Sequence, residues 1–257
     1  MDSGPSDLDH EAMETIQVLM VVAVFVLAGI VKGVTGMGLP TVAVSLLGLW
    51  MPAAQAAALL VVPSLATNVA QCRGPYFRPL IARLWPGWAA IAVVTAFAPG
   101  LGGATPAESA SRWLGGVLVG YGLWGLWRPV LPDLSGRGRW VGAAAGAATG
   151  LVTAMTAVFV LPWVPYLQSL RLDKDAMVQA LGLSFTVATL ALAVRLQASV
   201  EWSSISAAVA ACGALAGAFA GLKVGEVLRG RLAGPAFQKA LFLVFIALGA
   251  ANLMRAG

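Results

Sequence analysis

Ten apolar runs occupy most of the chain, at 16–31, 39–50, 53–71, 84–100, 109–127, 140–157, 158–169, 176–195, 203–222 and 236–254. At about 1.5 Å per helical residue, runs of some 20 residues cross a hydrocarbon core of ~30 Å. The runs are continuous rather than alternating, which predicts helices and disfavours a β-barrel. Charged residues make up 11% of the chain, against about 25% in a soluble domain, so little of the surface is built for water. The fold class that follows is an all-α polytopic membrane protein of 8–10 helical segments. The runs at 39–50 and 158–169 reach only ~18 Å and read as half-helices, broken or re-entrant. Trp50, Trp85, Trp88, Trp113, Trp124, Trp127, Trp140 and Trp202 stand near run ends, where an amphipathic indole prefers the headgroup level.

The order of features repeats: a broken run, a short run and three full ones, twice. "SRWLGGVLVGYGLWGLWR" (111–128) lies without gaps on "QKALFLVFIALGAANLMR" (238–255), and "GIVKGVTG" (29–36) lies on "GAATGLVT" (146–153), pairing Gly29 and Gly33 with Gly146 and Gly150. The division is an acidic tail at 1–15, a first repeat at 16–128, a linker at 129–139 and a second repeat at 140–257. Basic residues gather after residue 71 (Arg73, Arg78, Arg83), near 128–139 (Arg128, Arg137, Arg139) and near 223–239 (Lys223, Arg229, Arg231, Lys239), with Arg171 and Lys174 a weaker addition. The loops at 100–108 and 196–202 carry only Glu108 and Glu201. The positive-inside rule then puts the basic regions in the cytoplasm and the N-terminus outside. Five segments per half make the two repeats inverted, the architecture in which secondary transporters hold substrate at the midplane between broken helices.

The first break, "VKGVTGMGLP" (31–40), concentrates the chemistry. Gly33, Gly36 and Gly38 permit positive φ or close backbone approach, and Pro40 suits the first turn of a new helix. Thr35 lies among them. The N-terminus of the following half-helix offers N–H groups and a positive dipole end to an anion. Lys32 is costly within a bilayer, so it faces a cavity or snorkels to the surface. The glycines read equally as packing residues. In the second break, beside Gly150, Thr149, Thr153 and Thr156 offer hydroxyls to the same site, or bond to backbone carbonyls a turn back. "PSLATN" (63–68) with Thr67 and Asn68, opposite "SFTVAT" (184–189) with Ser184 and Thr189, either lines the site or clasps two helices. Arg73 and Arg195 guide anions or anchor the interface. Gly213, Gly217, Gly221 and Gly225 form a small-residue face for helix contact, within the chain or across a homodimer.

Several classes are poorly supplied. Cys72 and Cys212 have no metal-ligand spacing, His10 is the only histidine, and none of the eleven carboxylates lies centrally in an apolar run. Metal or triad catalysis and a carboxylate proton relay therefore lack material, and no cofactor is expected. No nucleic-acid-binding module is present. With net charge +5 and Lys32 the most central ionisable group, the expected partners are a small anion and the lipid bilayer.

"GIVKGVTGMGLPTVAVSLL", "PSLATN", "GAATGLVTAM" and "CGALAGAFAGLKVGEVLRGRL…FQKALFLVFIALGAANL" together resemble the TauE/SafE family of sulfite exporters, over nearly the whole chain and in order. The resemblance implies about eight spans in duplicated halves in a bacterial inner membrane. It also implies export of sulfite or an organosulfonate such as sulfoacetate, through a site near Gly33, Gly36, Gly38, Asn68 and their second-half counterparts. "TAMTA" (153–157) replaces the second glycine-rich run that the family often shows. A passive anion channel and a permease for a non-sulfur organic anion are the alternatives.

Overall fold

The computed structural model describes residues 7–101, 107–127, 131–197, 205–232 and 234–255. Residues 1–6 of the acidic tail, Arg128, Glu201 and Trp202 lie outside the described residues. Those described form helices and connections, with no strand among them. In chain order the helices are α1 (Asp7–Thr35), α2 (Leu39–Leu47), α3 (Ala53–Gln71), α4 (Phe77–Phe97), α5 (Ala107–Trp127), α6 (Arg139–Thr156), α7 (Trp163–Ser169), α8 (Lys174–Leu196), α9 (Ile205–Leu232) and α10 (Pro235–Arg255). The two expected half-helices are present. The first is nine residues long; the second is seven, because residues 158–162 run outside any helix. α1 begins at Asp7 rather than near residue 16 and runs past Lys32 to Thr35.

Six of these helices are long and apolar enough to cross a membrane: Thr15–Thr35, Ala53–Gln71, Phe77–Phe97, Lys174–Leu196, Val209–Arg231 and Pro235–Arg255. α5 and α6 also have spanning length, at 21 and 18 residues, but are diluted by glycine and alanine. Large apolar side chains such as Leu27, Phe97, Val194, Val227 and Leu243 are exposed on the outer faces of the long helices. Lys32, Ser64, Thr67, Asn68 and Thr189 are each at most 1% exposed. Apolar outside and polar inside inverts the water-soluble arrangement and suits a lipid solvent. The protein is a multi-pass membrane protein.

The packing pairs are α1 with α9, α4 with α6, α5 with α10 and α3 with α8. Exchanging the first five helices with the last five leaves that set of pairs unchanged. Glycine sets the closeness of three of them. A Cβ on Gly217, Gly221 or Gly225 would strike α1 backbone at Val22, Val26 or Ile30. This small-residue face is therefore covered by α1 of the same chain, which removes it as a surface for a homodimer. Gly146 packs on the Gly87 backbone between α6 and α4, and Gly115 meets Gly249 between α5 and α10.

Loop contacts bring Arg83, Arg171 and the basic linker with Arg137 and Arg139 to one end of the bundle. Arg83 donates to Ser135 O (3.1 Å), Arg171 to Leu131 O (3.1 Å), and Leu134 N to Ser169 O (3.0 Å). The 131–139 linker, the start of α4 and the α7–α8 turn thus share one face. Arg195 has a different job from guiding anions: its guanidinium donates to the carbonyls of Thr95, Ala98 and Leu101, which closes the C-terminal end of α4. Trp88 leaves the interfacial belt. It is buried, because its indole N–H donates to Ser184 Oγ at 2.8 Å; Trp50, Trp85, Trp113, Trp127 and Trp140 stay exposed.

Candidate functional site

Both broken helices end in the same way. Thr35 Oγ1 donates to Val31 O (2.8 Å) and receives Met37 N (3.2 Å); Thr156 Oγ1 donates to Val152 O (2.7 Å) and receives Val158 N (3.2 Å). One residue after each threonine the backbone turns left-handed, at Gly36 (φ 83°) and Ala157 (φ 56°). The N–H of that residue returns to a carbonyl four positions back, Gly36 N to Lys32 O (2.7 Å) and Ala157 N to Thr153 O (2.8 Å). This is the left-handed C-terminal cap of an α-helix, closed by a threonine hydroxyl. Both breaks are buried in protein, the condition under which irregular backbone persists at membrane depth. Gly38 (φ 98°) caps α2, whose first turn contains Pro40.

The cap geometry corrects the expected register of the repeat. Thr35 pairs with Thr156, so the spacing is 121 residues, the spacing that also separates Asn68 from Thr189. Gly29 then pairs with Gly150, Lys32 with Thr153, and Gly33 with Ala154. At Gly36 the first half has the residue suited to positive φ, whereas Ala157 holds that conformation against a steric cost of ~1–2 kcal/mol. Ala157→Gly is accordingly expected to stabilise the fold by about 1 kcal/mol. A rise in the unfolding temperature of detergent-purified protein checks this; a fall would mean that the alanine methyl contributes more packing than its backbone costs.

Lys32 sits one turn before the first break. It does not snorkel: it is 1% exposed, and its side-chain nitrogen donates to Thr67 Oγ1 (3.0 Å) and Asn68 Oδ1. Thr67 directs its own proton to Pro63 O (2.8 Å), so its oxygen is left to accept from the lysine. Asn68 Nδ2 donates to Ser64 Oγ (3.1 Å) and to Thr189 Oγ1 (3.5 Å), and the two hydroxyls lie 3.2 Å apart. A continuous polar cluster therefore joins α1, α3 and α8 in the interior. Gln71 extends the stripe on α3: its Nε2 donates to Gly36 O at 2.9 Å, while its buried Oε1 has no partner.

Of the residues expected to form a site, Lys32, Thr67, Asn68 and Thr189 are brought together, and Thr35, Gly36, Gly38 and Pro40 build the break beside them. Gly33 and Gly150 serve packing. A Cβ on Gly33 would lie 2.7 Å from Gly225 Cα, and one on Gly150 would lie 2.8 Å from Val94 Cβ. Thr149 and Thr153 donate to Ala145 O and Thr149 O, as Thr156 does to Val152 O, so these three hydroxyls bond to backbone and none bonds to the Lys32 cluster. Ser184 donates to Ala180 O and receives Trp88, apart from that cluster.

Sequence reasoning missed Ser64, Gln71 and Arg229. Ser64, Thr67, Asn68 and Gln71 recur at helical spacing on one side of α3, a signal present in the sequence. Nothing marked Arg229, whose guanidinium donates twice to Gly33 O (2.9 and 2.7 Å), next to Lys32. Two buried donors near the start of each short helix, Thr41 Oγ1 on α2 and Trp163 Nε1 on α7, have no partner. The carboxylates whose side chains are described, Glu108, Asp133, Asp173, Asp175 and Glu226, are all exposed. The interior is thus rich in donors and contains no described anion.

The family model for the sulfite exporter TauE/SafE matches residues 21–253. Neither a curated protein nor a solved structure matches the chain.

Proposed function

We propose that this chain, which belongs to the TauE/SafE family of sulfite exporters, is a secondary transporter that carries a small sulfur-containing anion through a midplane site between its two broken helices. Membership supports a membrane transporter of sulfur anions at the level of the family; the site and the mechanism are our reading. One observation carries it: Lys32 is fully buried among neutral hydrogen-bonding groups, with no described carboxylate to balance it. Charging such an amine with no counter-charge beside it costs several kcal/mol, on the order of 2.5–3.5 on insertion scales. A retained lysine of this kind is explained by a ligand that supplies the missing charge. The α2 N-terminus and the free Thr41 hydroxyl offer further donors, as an oxyanion requires.

Alternating access follows from the inverted arrangement. Two breaks of matched geometry, in halves of opposite orientation, give the anion equivalent ways out on either face. The clustering of Arg83, Arg137, Arg139 and Arg171 at one end supports a cytoplasmic assignment for that end. In cells, Ser135→Cys is expected to react with a membrane-impermeant maleimide only after the membrane is opened, and Glu108→Cys to react directly. The reverse pattern would overturn the orientation, and equal labelling of both would overturn the topology.

The transport reading is tested in liposomes. Reconstituted protein is expected to take up radiolabelled sulfite saturably and to exchange it for unlabelled sulfite on the far side. Flux that never saturates and is carried as a large conductance would make the protein a channel. No flux of sulfite, thiosulfate or isethionate would contradict the proposal.

A further inference from the structure

The protonation of the Lys32 amine goes beyond the choice of substrate. A neutral amine has two N–H donors, and the protein offers Lys32 two acceptors, Thr67 Oγ1 and Asn68 Oδ1. Both are fixed in that role: the threonine proton goes to Pro63 O, and the asparagine amide group is engaged by Ser64 and Thr189. An ammonium has a third donor and a full charge, and the structure provides partners for neither. The protein's own acceptors at Lys32 therefore match the two donors of the neutral amine. An arriving oxyanion brings what the protonated form lacks, one more acceptor and a counter-charge.

We propose, resting on the transport reading above, that Lys32 is the coupling group, and that each anion is carried together with one proton held on its amine. On the loading side the amine takes a proton from water as the anion binds, becoming an ammonium paired with the anion. On the release side the anion leaves and the ammonium returns its proton to water. The unloaded protein then reorients with a neutral lysine. For a monoanion the loaded step moves no net charge, and flux follows the combined anion and proton gradients.

The surroundings leave this role to Lys32. α2 carries no titratable side chain. From α3 the titratable neighbour is Cys72, whose thiol donates to Asn68 O at 3.4 Å. From α9 the charged groups are Arg229, held on the Gly33 carbonyl, the exposed Arg231, and Lys223 and Glu226, paired with each other at 3.0 Å on the exposed side. α8 reaches the cluster through Thr189, which does not titrate in this range. No described carboxylate competes for the proton.

The test uses the full chain in liposomes loaded with a pH-sensitive dye. The probes are sulfite at alkaline pH, where it is the dianion, and isethionate, ionised throughout; neither brings its own proton. Wild-type uptake is expected to acidify the interior by about one proton per anion, read against radiolabel. Lys32→Arg, which keeps the positive charge permanently, is expected to retain anion-for-anion exchange. Its net uptake should fall at least about tenfold, since an uncompensated charge must then cross in the empty protein. Saturable uptake without acidification would overturn the coupling and leave the transporter reading intact. No uptake of either probe would overturn the transporter reading itself. If Lys32→Arg fails to fold, the wild-type proton count decides alone.

Discussion

Lys32→Met is expected to lower anion affinity by about 10- to 100-fold, the loss of a charge-assisted hydrogen bond of ~1.5–3 kcal/mol at ~1.4 kcal/mol per decade. The fold should tolerate the change. Methionine has a similar length and no charge to bury, and replacing a buried charged group by an apolar side chain of similar volume is often neutral or stabilising. Thr67 Oγ1 and Asn68 Oδ1 each lose a donor, but the Thr67 hydroxyl keeps its own bond to Pro63 O and the Asn68 amide keeps Ser64. Scanning fluorimetry should therefore place the variant within about 1 kcal/mol of wild type, while sulfite no longer stabilises it. Undiminished stabilisation by sulfite would show that the anion binds elsewhere.

Asn68→Leu is expected to have the largest effect on the fold. It leaves Lys32 with one acceptor instead of two and strips Ser64 and Thr189 of the amide that bridges them. An orphaned buried donor costs about 1–3 kcal/mol, more when it is charged. The double variant, Lys32→Met with Asn68→Leu, should recover most of that loss, because the unpaired amine is gone as well. Such recovery is a coupling energy between the two positions, measurable as a non-additive cycle in the unfolding temperature. Additive losses would mean that the lysine and the asparagine act separately, and the site as drawn would fail.

The cluster was partly legible in the sequence because its residues interrupt apolar runs. Lys32, Asn68 and Thr189 stand out in segments otherwise built for lipid, and the α3 stripe recurs at helical spacing. The second break was harder to read. Its glycines were aligned with those of the first, yet Gly146 and Gly150 close helix contacts to Gly87 and to Val94. The threonine cap defines the break, and its left-handed position is occupied by Ala157, which no glycine count can find. Position along a run groups Trp88 with the interfacial tryptophans but says nothing of the side it faces; Ser184 draws it inward. Arg229 lies about 200 residues from its acceptor, beyond the reach of local pattern.

The difference between the halves follows from the same residues. At matched positions Lys32 stands against Thr153 and Asn68 against Thr189; the first half brings Lys32, Ser64, Thr67 and Asn68 to the polar cluster, and the second half brings Thr189. A helix-pairing pattern unchanged by exchanging the halves thus encloses an asymmetric polar cluster.

That site is located most directly with selenite, an oxyanion of sulfite's shape and charge that scatters anomalously at the selenium edge. In crystals grown with it, one anomalous peak is expected inside the protein, with a selenite oxygen about 3 Å from Lys32 Nζ. A peak confined to the exposed arginines at the basic end, with none at Lys32, would contradict it.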